Sequence, residues 1–358
     1  MEIESFIPSD HHPFLIAGPC SAETEAQVHQ TVEELITFVP QVDVIRAGIW
    51  KPRTRPNAFE GVGAVGLSWI KEAAKKHNKP CTVEVANTEH VEAALKVGID
   101  ILWVGARSTV SPFIVQEIAE ALRGVDIPVM IKNPVNPDLE LWMGAFERME
   151  KVGIKKLAAI HRGFSSYTKT EYRNKPTWEL PIELKRRIPN LPIICDPSHI
   201  CGRRDTLQKV SQKAMDLNFD GLMIESHYQP DEAWSDAKQQ ITPEQLALLL
   251  VNIIYRENIN LEEEEHSSLN ELRSKIDRID NYIIELLSER MGVSEEIGMY
   301  KAANNLKIYQ PERWAIIVDR CLKIGTLNGL SEDFLLKLIQ QIHKESIRHQ
   351  TMVMNKGQ

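Results

Sequence analysis

Short apolar runs alternate with polar, helix-like stretches from Phe14 to about His227. The runs are nearly continuous in apolar and β-branched residues, which is typical of parallel strands covered on both faces. Eight are visible, at residues 14–20, 43–50, 81–87, 101–107, 128–134, 156–163, 192–199 and 221–227. Eight strand–helix units over roughly 250 residues match the size of a (β/α)8 barrel. The pattern therefore predicts an α/β chain with a TIM barrel at residues 1–255.

The pattern changes after Tyr255. Residues 256–267 are polar and contain four consecutive glutamates, which indicates an acidic, solvated linker. From residue 268 to 358 the apolar residues repeat every three or four positions: Leu269, Leu272, Ile276, Ile279, Ile283, Leu286, Val293, Ile297 and Tyr300. This spacing predicts one long amphipathic helix, followed by two shorter helices near 311–325 and 331–350. Three helices make a poor core for one chain, so we expect a homodimer through this small all-α domain, with a higher oligomer left open.

Composition narrows the class of protein. The 358 residues carry a formal net charge of −8 and are 43% hydrophobic, as in ordinary globular proteins. An isoelectric point of about 5.8 argues against nucleic-acid binding, and no apolar run approaches the roughly 20 residues that cross a membrane. There is no secretory signal, and five scattered cysteines do not resemble a disulfide framework. We expect a cytoplasmic protein that starts almost directly at its first strand, without a separate N-terminal regulatory domain.

Reactive side chains stand at most of the predicted strand ends. Barrel enzymes carry their chemistry where strands end and loops begin, so these side chains should converge on one face. A thiol, an imidazole and two carboxylates among them suit a divalent transition metal (Mn, Fe, Co or Zn) rather than calcium or magnesium. These four residues are Cys20, His199, Glu225 and Asp236. Each alone has a plainer explanation, and Asp236, which precedes a helix, is the weakest because it is equally a plain N-cap.

Six cations accompany this set at the strand ends: Arg46, Lys51, Arg53, Arg107, Lys132 and Arg162. The densest stretch is "IWKPRTRP", residues 49–56, where three cations alternate between prolines. A targeting signal or a nucleic-acid patch is an alternative. Because the whole chain is acidic, however, such local basicity favours small anionic ligands, with more than one phosphate or carboxylate among them.

These motifs carry a resemblance to a known family. "AGPCSAE", "RAGIWKPRTRP", "GARS", "KNP", "HRG", "CDPSH" and "IESH…SDAKQQ" together resemble the type I 3-deoxy-D-arabino-heptulosonate 7-phosphate (DAHP) synthases, in the branch related to the 3-deoxy-octulosonate 8-phosphate synthases. The resemblance covers residues 10–258. It implies a metal held by Cys20, His199, Glu225 and Asp236. It also implies that phosphoenolpyruvate is held by Arg46, Lys51, Arg107, Lys132 and Arg162.

By the same resemblance, Arg53 and Thr54 meet erythrose 4-phosphate. The implied reaction is an aldol-like condensation of the two substrates to DAHP and phosphate, with Lys51 among the catalytic residues. Octulosonate synthases carry K-A-N-R-S-S where this chain has "KPRT", so the loop favours the four-carbon sugar. Octulosonate synthesis stays an alternative.

A charge interrupts the apolar stripe of the long helix at Arg290. A buried charge needs a partner, which is either a carboxylate of another helix or a bound anion. At about 100° per residue, Lys301 lies about 20° around the helix from Arg290. Arg273 lies about 100° from that face, so we expect it to serve a partner's pocket. Ser346 and Gln350, four residues apart, share one helix face.

The motifs "LRSKIDRID", "LLSERM", "YKAA", "YQPERW" and "ESIRHQ" resemble the all-helical chorismate mutases over residues 266–352. The resemblance implies that chorismate rearranges to prephenate here without a cofactor, bound by Arg273 of the partner chain, Arg290, Lys301, Arg313, Ser346 and Gln350. Arg290, Lys301 and Gln350 would be the catalytic residues.

Two positions depart from that pattern, because Gln310 and Trp314 stand where an Asp and a Glu are frequent. The helical domain is therefore either a second enzyme or a ligand-sensing and dimerisation module. The first interpretation makes the chain a bifunctional enzyme of aromatic amino acid biosynthesis, with feedback through the helical domain.

Overall fold

The computed structural model describes residues 1–8, 13–51, 59–167, 170–256 and 267–355. Two compact units make up the chain, Met1–Asn258 and Ile259–Gln358. Their boundary falls within the acidic segment of residues 256–267.

The first unit is a closed barrel of eight parallel strands in sequence order, which confirms the predicted TIM barrel. The strands are β1 (Phe14–Gly18), β2 (Val44–Ala47), β3 (Cys81–Val85), β4 (Ile101–Val104), β5 (Val129–Lys132), β6 (Leu157–His161), β7 (Ile193–Cys195) and β8 (Gly221–Glu225). β1 closes the barrel against β8, in a register that runs from Phe14 opposite Gly221 to Gly18 opposite Glu225. The first and last strands are therefore neighbours, and the segments that follow them meet at the same rim.

Helices cover the outside of the barrel. They are α1 (Glu25–Phe38), α2 (Val65–Lys76), α3 (Thr88–Val97), α4 (Ala106–Thr109), α5 (Pro112–Ala121), α6 (Leu139–Lys151), α7 (Glu179–Arg187), α8 (Pro197–Cys201), α9 (Leu207–Asp216) and α10 (Pro243–Val251). At the start of α10, Thr242 and Gln245 form a capping box, in which each side chain satisfies a free backbone N–H. The short helices α4 and α8, which follow β4 and β7 directly, were not predicted from the apolar pattern.

Apolar side chains fill the inside of the barrel below its rim. The inner cluster consists of Phe14, Ile16, Val44, Ile101, Trp103, Met130, Ala158, Ile160, Ile194 and Met223, and Phe6 and Ile7 pack against it. A second, larger cluster lies between the strands and the outer helices. Because the lumen is packed rather than open, polar chemistry is confined to the end of the barrel where the strands stop.

The second unit contains three helices, α11 (Ser267–Ala303), α12 (Pro311–Leu327) and α13 (Glu332–Asn355). The 37-residue α11 is the single long helix that the 3–4 spacing predicts. Close packing depends on two glycines: a Cβ at Gly298 would lie 2.6 Å from Val353, and one at Gly325 would lie 2.4 Å from Leu335. Among the described residues, no helix is long and apolar enough to span a membrane.

Candidate active sites

The four residues predicted as metal ligands lie at the barrel rim in two close pairs. Cys20 lies just beyond β1, and its Sγ is 3.4 Å from Oδ2 of Asp236, in the segment between β8 and α10. His199 is carried by α8, and its Nε2 is 3.8 Å from Oε1 of Glu225 at the end of β8. The barrel closure thus brings together residues more than 200 positions apart in the chain.

Asp236 does not behave as a plain N-cap. A short 3-10 helix, Ala237–Gln239, follows it, but its side chain makes no capping hydrogen bond there. Its carboxylate reaches Cys20 and Arg173 instead. The backbone of Asp236 is left-handed, with φ of 47°, a conformation that costs a non-glycine residue energy and is frequent at functional sites.

Two cations contact the ligand atoms of the Cys20–Asp236 pair. Nζ of Lys51 donates to Sγ of Cys20 at 3.0 Å, and Nη1 of Arg173 donates to Oδ1 of Asp236 at 2.9 Å. Burial, together with the nearby Glu225 carboxylate, raises the pKa of the Cys20 thiol to about 12. Burial would also raise the pKa of Asp236, but the charge of Arg173 holds it well below its usual range. Arg173 lies in an irregular segment without sequence periodicity, so its contact with Asp236 was not predicted from the sequence.

The donor set fits a borderline divalent metal, because it combines sulfur, nitrogen and oxygen. Burial lowers the pKa of His199, which favours the neutral imidazole that a metal requires. Oε1 of Glu225 is buried and makes no hydrogen bond, although it forms an ion pair with Arg46. The two pairs do not form one cluster of ligand atoms. Within the described ranges, the only three candidate ligand atoms that lie within 4.8 Å of one another belong to Glu25, His29 and Glu72, on α1 and α2.

Arg46 and Lys132 point from β2 and β5 to the same end of the barrel as the metal-ligand candidates, and both are buried. Nη2 of Arg46 lies 3.2 Å from Oε1 of Glu225, and its guanidinium stacks over Trp103 at 5.0 Å. Its Nε and Nη1 atoms have no hydrogen-bond partner among the described residues. Nζ of Lys132 lies 2.9 Å from Oδ2 of Asp196. Arg46 therefore holds two donors ready for an anion.

The remaining predicted cations are placed differently. Arg162, buried at the end of β6, donates from Nη1 to Asn174 at 2.8 Å, and burial lowers its pKa to about 10, so it stays charged at neutral pH. Arg107 is exposed in α4. Arg53 and Thr54 lie outside the described residues. His161, next to Arg162, is buried against Phe164, Trp178 and Phe219.

Gly105 shows how tightly the rim around Arg107 is packed. A Cβ on Gly105 would lie 2.1 Å from Oε1 of Glu84. Oε2 of the same carboxylate accepts a 2.9 Å bond from Nε1 of Trp103, the ring beneath Arg46. Only glycine fits between β4 and α4 without moving Glu84.

The second unit contains a cavity of about 450 Å³ between α11, α12 and α13, a usual size for a small-molecule site. Its lining includes nine residues that the sequence singled out: Arg290, Val293, Ile297, Lys301, Gln310, Arg313, Trp314, Ser346 and Gln350. Nζ of Lys301 donates to Oε1 of Gln350 at 3.1 Å and to the carbonyl of Ile308 at 2.6 Å. Nη1 of Arg290 donates to Oγ of Ser346. Arg290 and Lys301, which interrupt the apolar face, thus both point into this cavity.

Two further polar residues that line the cavity, Arg320 and His343, were not predicted from the sequence. Arg320 lies seven positions after Arg313, on the same face of α12. His343 stacks on Trp314 with ring centroids 4.1 Å apart, and burial and the charges of Arg290 and Lys301 lower its pKa. Its spacing of three and seven from Ser346 and Gln350 is a helical signal that would have found it.

Arg273 does not line this cavity. It is exposed in the first half of α11, where its Nη1 contacts Asn270 at 3.5 Å. Apolar residues near it are exposed as well, including Leu272 at 55% and Ile276 at 57%. The described residues of its own chain thus leave much of this apolar surface accessible.

A (β/α)8 barrel with cations and a mixed thiol, imidazole and carboxylate set at its rim is the architecture of an enzyme that acts on small anionic substrates. Residues 2–257 match the model of the DAHP synthetase I family, and residues 272–351 match that of chorismate mutase type II. The chain belongs to the DAHP synthetase I family and carries a chorismate mutase domain at its C-terminal end.

Individual relatives agree with the barrel assignment. The phospho-2-dehydro-3-deoxyheptonate aldolase of Thermotoga maritima is 30% identical over 227 residues, which are 63% of this chain and 64% of that protein's length. A 2-dehydro-3-deoxyphosphooctonate aldolase of Geobacter sulfurreducens is 26% identical and covers 68% of this chain and 92% of its own. The crystal structure of the Thermotoga DAHP synthase superposes with a TM-score of 0.59 at 30% identity, over 67% of each chain.

Proposed function

We propose that the protein is a bifunctional enzyme that makes DAHP in its barrel and converts chorismate to prephenate in its helical unit. The observation that carries the proposal is that each unit brings side chains of the kind that its own reaction needs to one region. At the barrel rim these are buried cations beside two close pairs of candidate metal ligands. In the helical unit they are cations around a cavity that has no carboxylate among its described lining residues.

In the barrel, Arg46, Lys132 and Arg162 bind phosphoenolpyruvate together with Lys51 and Arg107. Fixed cations in a dry site neutralise the phosphate and carboxylate and hold the enol carbon toward the second substrate. C3 of phosphoenolpyruvate then attacks the aldehyde carbon, water adds at C2, and inorganic phosphate leaves. Nζ of Lys51, at 3.0 Å from the Cys20 sulfur, is positioned to give a proton to the oxygen that was the aldehyde carbonyl.

Cys20, His199, Glu225 and Asp236 are the residues that would hold the divalent metal. When bound there, such an ion supplies a Lewis acid that polarises the aldehyde carbonyl. The choice of erythrose 4-phosphate over a longer sugar rests on the "KPRT" loop, which contains Arg53 and Thr54. Octulosonate synthesis is the second candidate, favoured by the name of the Geobacter relative, and a comparison of the two aldose phosphates as substrates decides between them.

In the helical unit, Arg290 and Arg313 bind the substrate carboxylates, and Lys301 and Gln350 contact the ether oxygen whose bond to carbon breaks. The rearrangement is unimolecular, so the site needs only a preorganised shape and positive charge. The Lys301–Gln350 contact of 3.1 Å supports this, because it fixes both side chains at one point of the cavity.

A homodimer accompanies this activity. The exposed apolar stripe of α11, with Ile276 57% and Ile283 48% accessible, would be covered by a second copy. Arg273 lies on the same half of the helix, so pairing would carry it to the partner's cavity. A sensing and dimerisation module without activity is the alternative for this unit, favoured by Gln310 and Trp314.

The test uses the full-length protein and two matched variants. Cys20→Ala is expected to lose at least 100-fold in DAHP formation and to leave prephenate formation within twofold, and Arg290→Gln is expected to do the reverse. Prephenate, phenylalanine and tyrosine are added to the synthase assay to test feedback. Absence of prephenate formation by the unmodified protein, with prephenate still bound, would make the helical unit a sensor. Full synthase activity of Cys20→Ala after chelator treatment would remove the metal assignment.

A further inference from the structure

The pairing of Cys20 with Asp236 needs an explanation, because the two residues come from opposite ends of the barrel sequence. Asp236 lies in a loop after β8, in a strained left-handed conformation. Such a conformation persists only where the surroundings enforce it. The groups that hold this loop are therefore part of the candidate metal site, although they do not contact its centre.

Glu23, near the start of α1, is the main anchor of that loop. Its Oε1 accepts a hydrogen bond from the backbone N–H of Trp234 at 2.8 Å. The same oxygen accepts from Oγ of Ser21 at 3.3 Å, and Oγ of Ser21 lies 2.6 Å from Oγ of Ser235. Glu23 and Ser21 thus fix the two residues that precede Asp236.

Gln240 closes the connection on the other side. Its Oε1 accepts from the backbone N–H of Cys20 at 2.9 Å, and its Nε2 donates to the carbonyl of Ser235 at 2.8 Å. Glu23, Ser21, Ser235 and Gln240 are all buried, where a satisfied polar network is rigid. Hydrogen bonds through Gln240 therefore connect the backbone at Cys20 with the backbone just before Asp236.

The carboxylate of Glu23 feels the charge of Lys51 only at longer range. No ion pair joins it to a lysine or arginine among the described residues; the nearest imidazole is that of His227, with Nε2 3.9 Å from Oε2. Nor does Glu23 belong to the candidate ligand set. An ionised carboxylate can accept from a backbone amide and a hydroxyl at the same time, which is what holds the loop here.

We propose that Glu23 is a positioning residue, which fixes the loop at Trp234–Asp236 so that Cys20 and Asp236 are set as a pair for the divalent metal. This rests on the proposed metal-dependent synthase function. Without Glu23 the loop keeps its length but loses its anchor, and Asp236 moves away from Cys20. The affinity for metal falls, while four of the five phosphoenolpyruvate cations, Arg46, Arg107, Lys132 and Arg162, are carried by segments that Glu23 does not hold.

The probe is Co²⁺, because a cobalt–thiolate band in the near-ultraviolet reports contact with Cys20 directly. Full-length protein is titrated with Co²⁺ against a competing chelator, and phosphoenolpyruvate binding is measured calorimetrically. Glu23→Ala is expected to bind Co²⁺ at least tenfold more weakly, with a reduced thiolate band and with phosphoenolpyruvate affinity within twofold. Glu23→Gln keeps an acceptor for the Trp234 amide and is expected to stay within about threefold of the unmodified protein.

A control separates positioning from general loss of stability. Thr31 in α1 accepts from the backbone N–H of Tyr228 at 3.5 Å, which also joins the first helix region to the segment after β8, but eight residues before Asp236. Thr31→Ala is expected to leave Co²⁺ affinity unchanged. If Glu23→Ala does not fold, Ser235→Ala, which removes the link to Ser21, is expected to weaken Co²⁺ binding in its place.

Three results would overturn the proposal. Co²⁺ affinity of Glu23→Ala or, if it does not fold, Ser235→Ala within twofold of the unmodified protein would show that the anchor is not needed. Equal losses in Glu23→Gln and Glu23→Ala would show that the charge of Glu23, rather than its position, attracts the ion. Absence of the thiolate band in the unmodified protein would remove the Cys20 site itself, and with it the metal part of the proposed function.

Discussion

Lys132→Met is the most informative single change in the barrel, because it breaks a fully buried ion pair that belongs to the proposed phosphoenolpyruvate site. The side chains of Lys132 and Asp196 are 4% and 0% accessible, and their charged atoms are 2.9 Å apart. Removal of one partner leaves the Asp196 charge uncompensated, which costs about 3–5 kcal/mol in buried pairs.

The lower end of that range applies here. Asp196 keeps a second partner in His199, whose backbone N–H donates to Oδ1 at 3.1 Å and whose Nδ1 lies 2.8 Å from Oδ2. We therefore expect a loss of about 3 kcal/mol. At about 2–4 °C per kcal/mol for a unit of this size, the barrel's melting temperature should fall by about 6–12 °C.

Lys156→Met is the matched control. Its pair with Asp126 has the same geometry, at 2.8 Å, but the two side chains are 34% and 82% accessible. Exposed pairs contribute about 0–1 kcal/mol, so the melting temperature should fall by less than about 4 °C. Differential scanning calorimetry with and without phosphoenolpyruvate measures both effects, and the ligand should stabilise the control but not Lys132→Met. Equal shifts in the two variants would refute the reasoning from burial, and equal stabilisation by the ligand would refute the role of Lys132 in binding.

Two further predictions address the helical unit and the pH dependence of the barrel. Lys301→Met removes the charged hydrogen bond proposed to the ether oxygen of chorismate, worth about 1.5–3 kcal/mol, so kcat/KM for chorismate should fall by roughly 10- to 150-fold, whereas the exposed Lys307→Met should change it less than twofold; similar values for both would exclude Lys301 from the site. His161 is buried, which together with Arg162 lowers its pKa to about 3, so the unfolded chain binds a proton below about pH 6.5 that the folded barrel refuses. The free energy of unfolding should fall with decreasing pH, by about 1.4 kcal/mol per pH unit between roughly pH 6 and 4 from this group. Urea unfolding at several pH values should show a pH dependence that is weaker by that amount in His161→Phe; an unchanged pH dependence would contradict the assignment.

The strands and the positions of rim residues follow from sequence because both depend on local patterns. Continuous apolar runs identify β1 to β8, and the residue at the end of a strand must lie at the rim whatever its neighbours are. In the same way, the period of α11 places Arg290 and Lys301 on one face. The sequence also identifies the capping box of Thr242 and Gln245, because its residues are three positions apart.

The features that were missed depend on contacts between distant segments. The contact of Arg173 with Asp236 joins two irregular loops 63 residues apart, and neither loop has a period that reveals its direction. The anchoring of Trp234 by Glu23 joins residues 211 positions apart. The short helices α4 and α8 have too few residues to show a helical period. Such contacts are fixed by barrel closure, which is a property of the whole chain.

The homodimer proposed through α11 would make part of this protein's stability depend on the protein concentration. At about 1.5 Å per residue the 37 residues of this helix span roughly 55 Å, and its first half leaves apolar side chains in water. A surface that is covered only by association stabilises the folded form by mass action. Dilution should therefore lower the melting temperature of the helical unit and leave that of the barrel unchanged. The protein concentration would then set how far the melting temperatures of the two units differ.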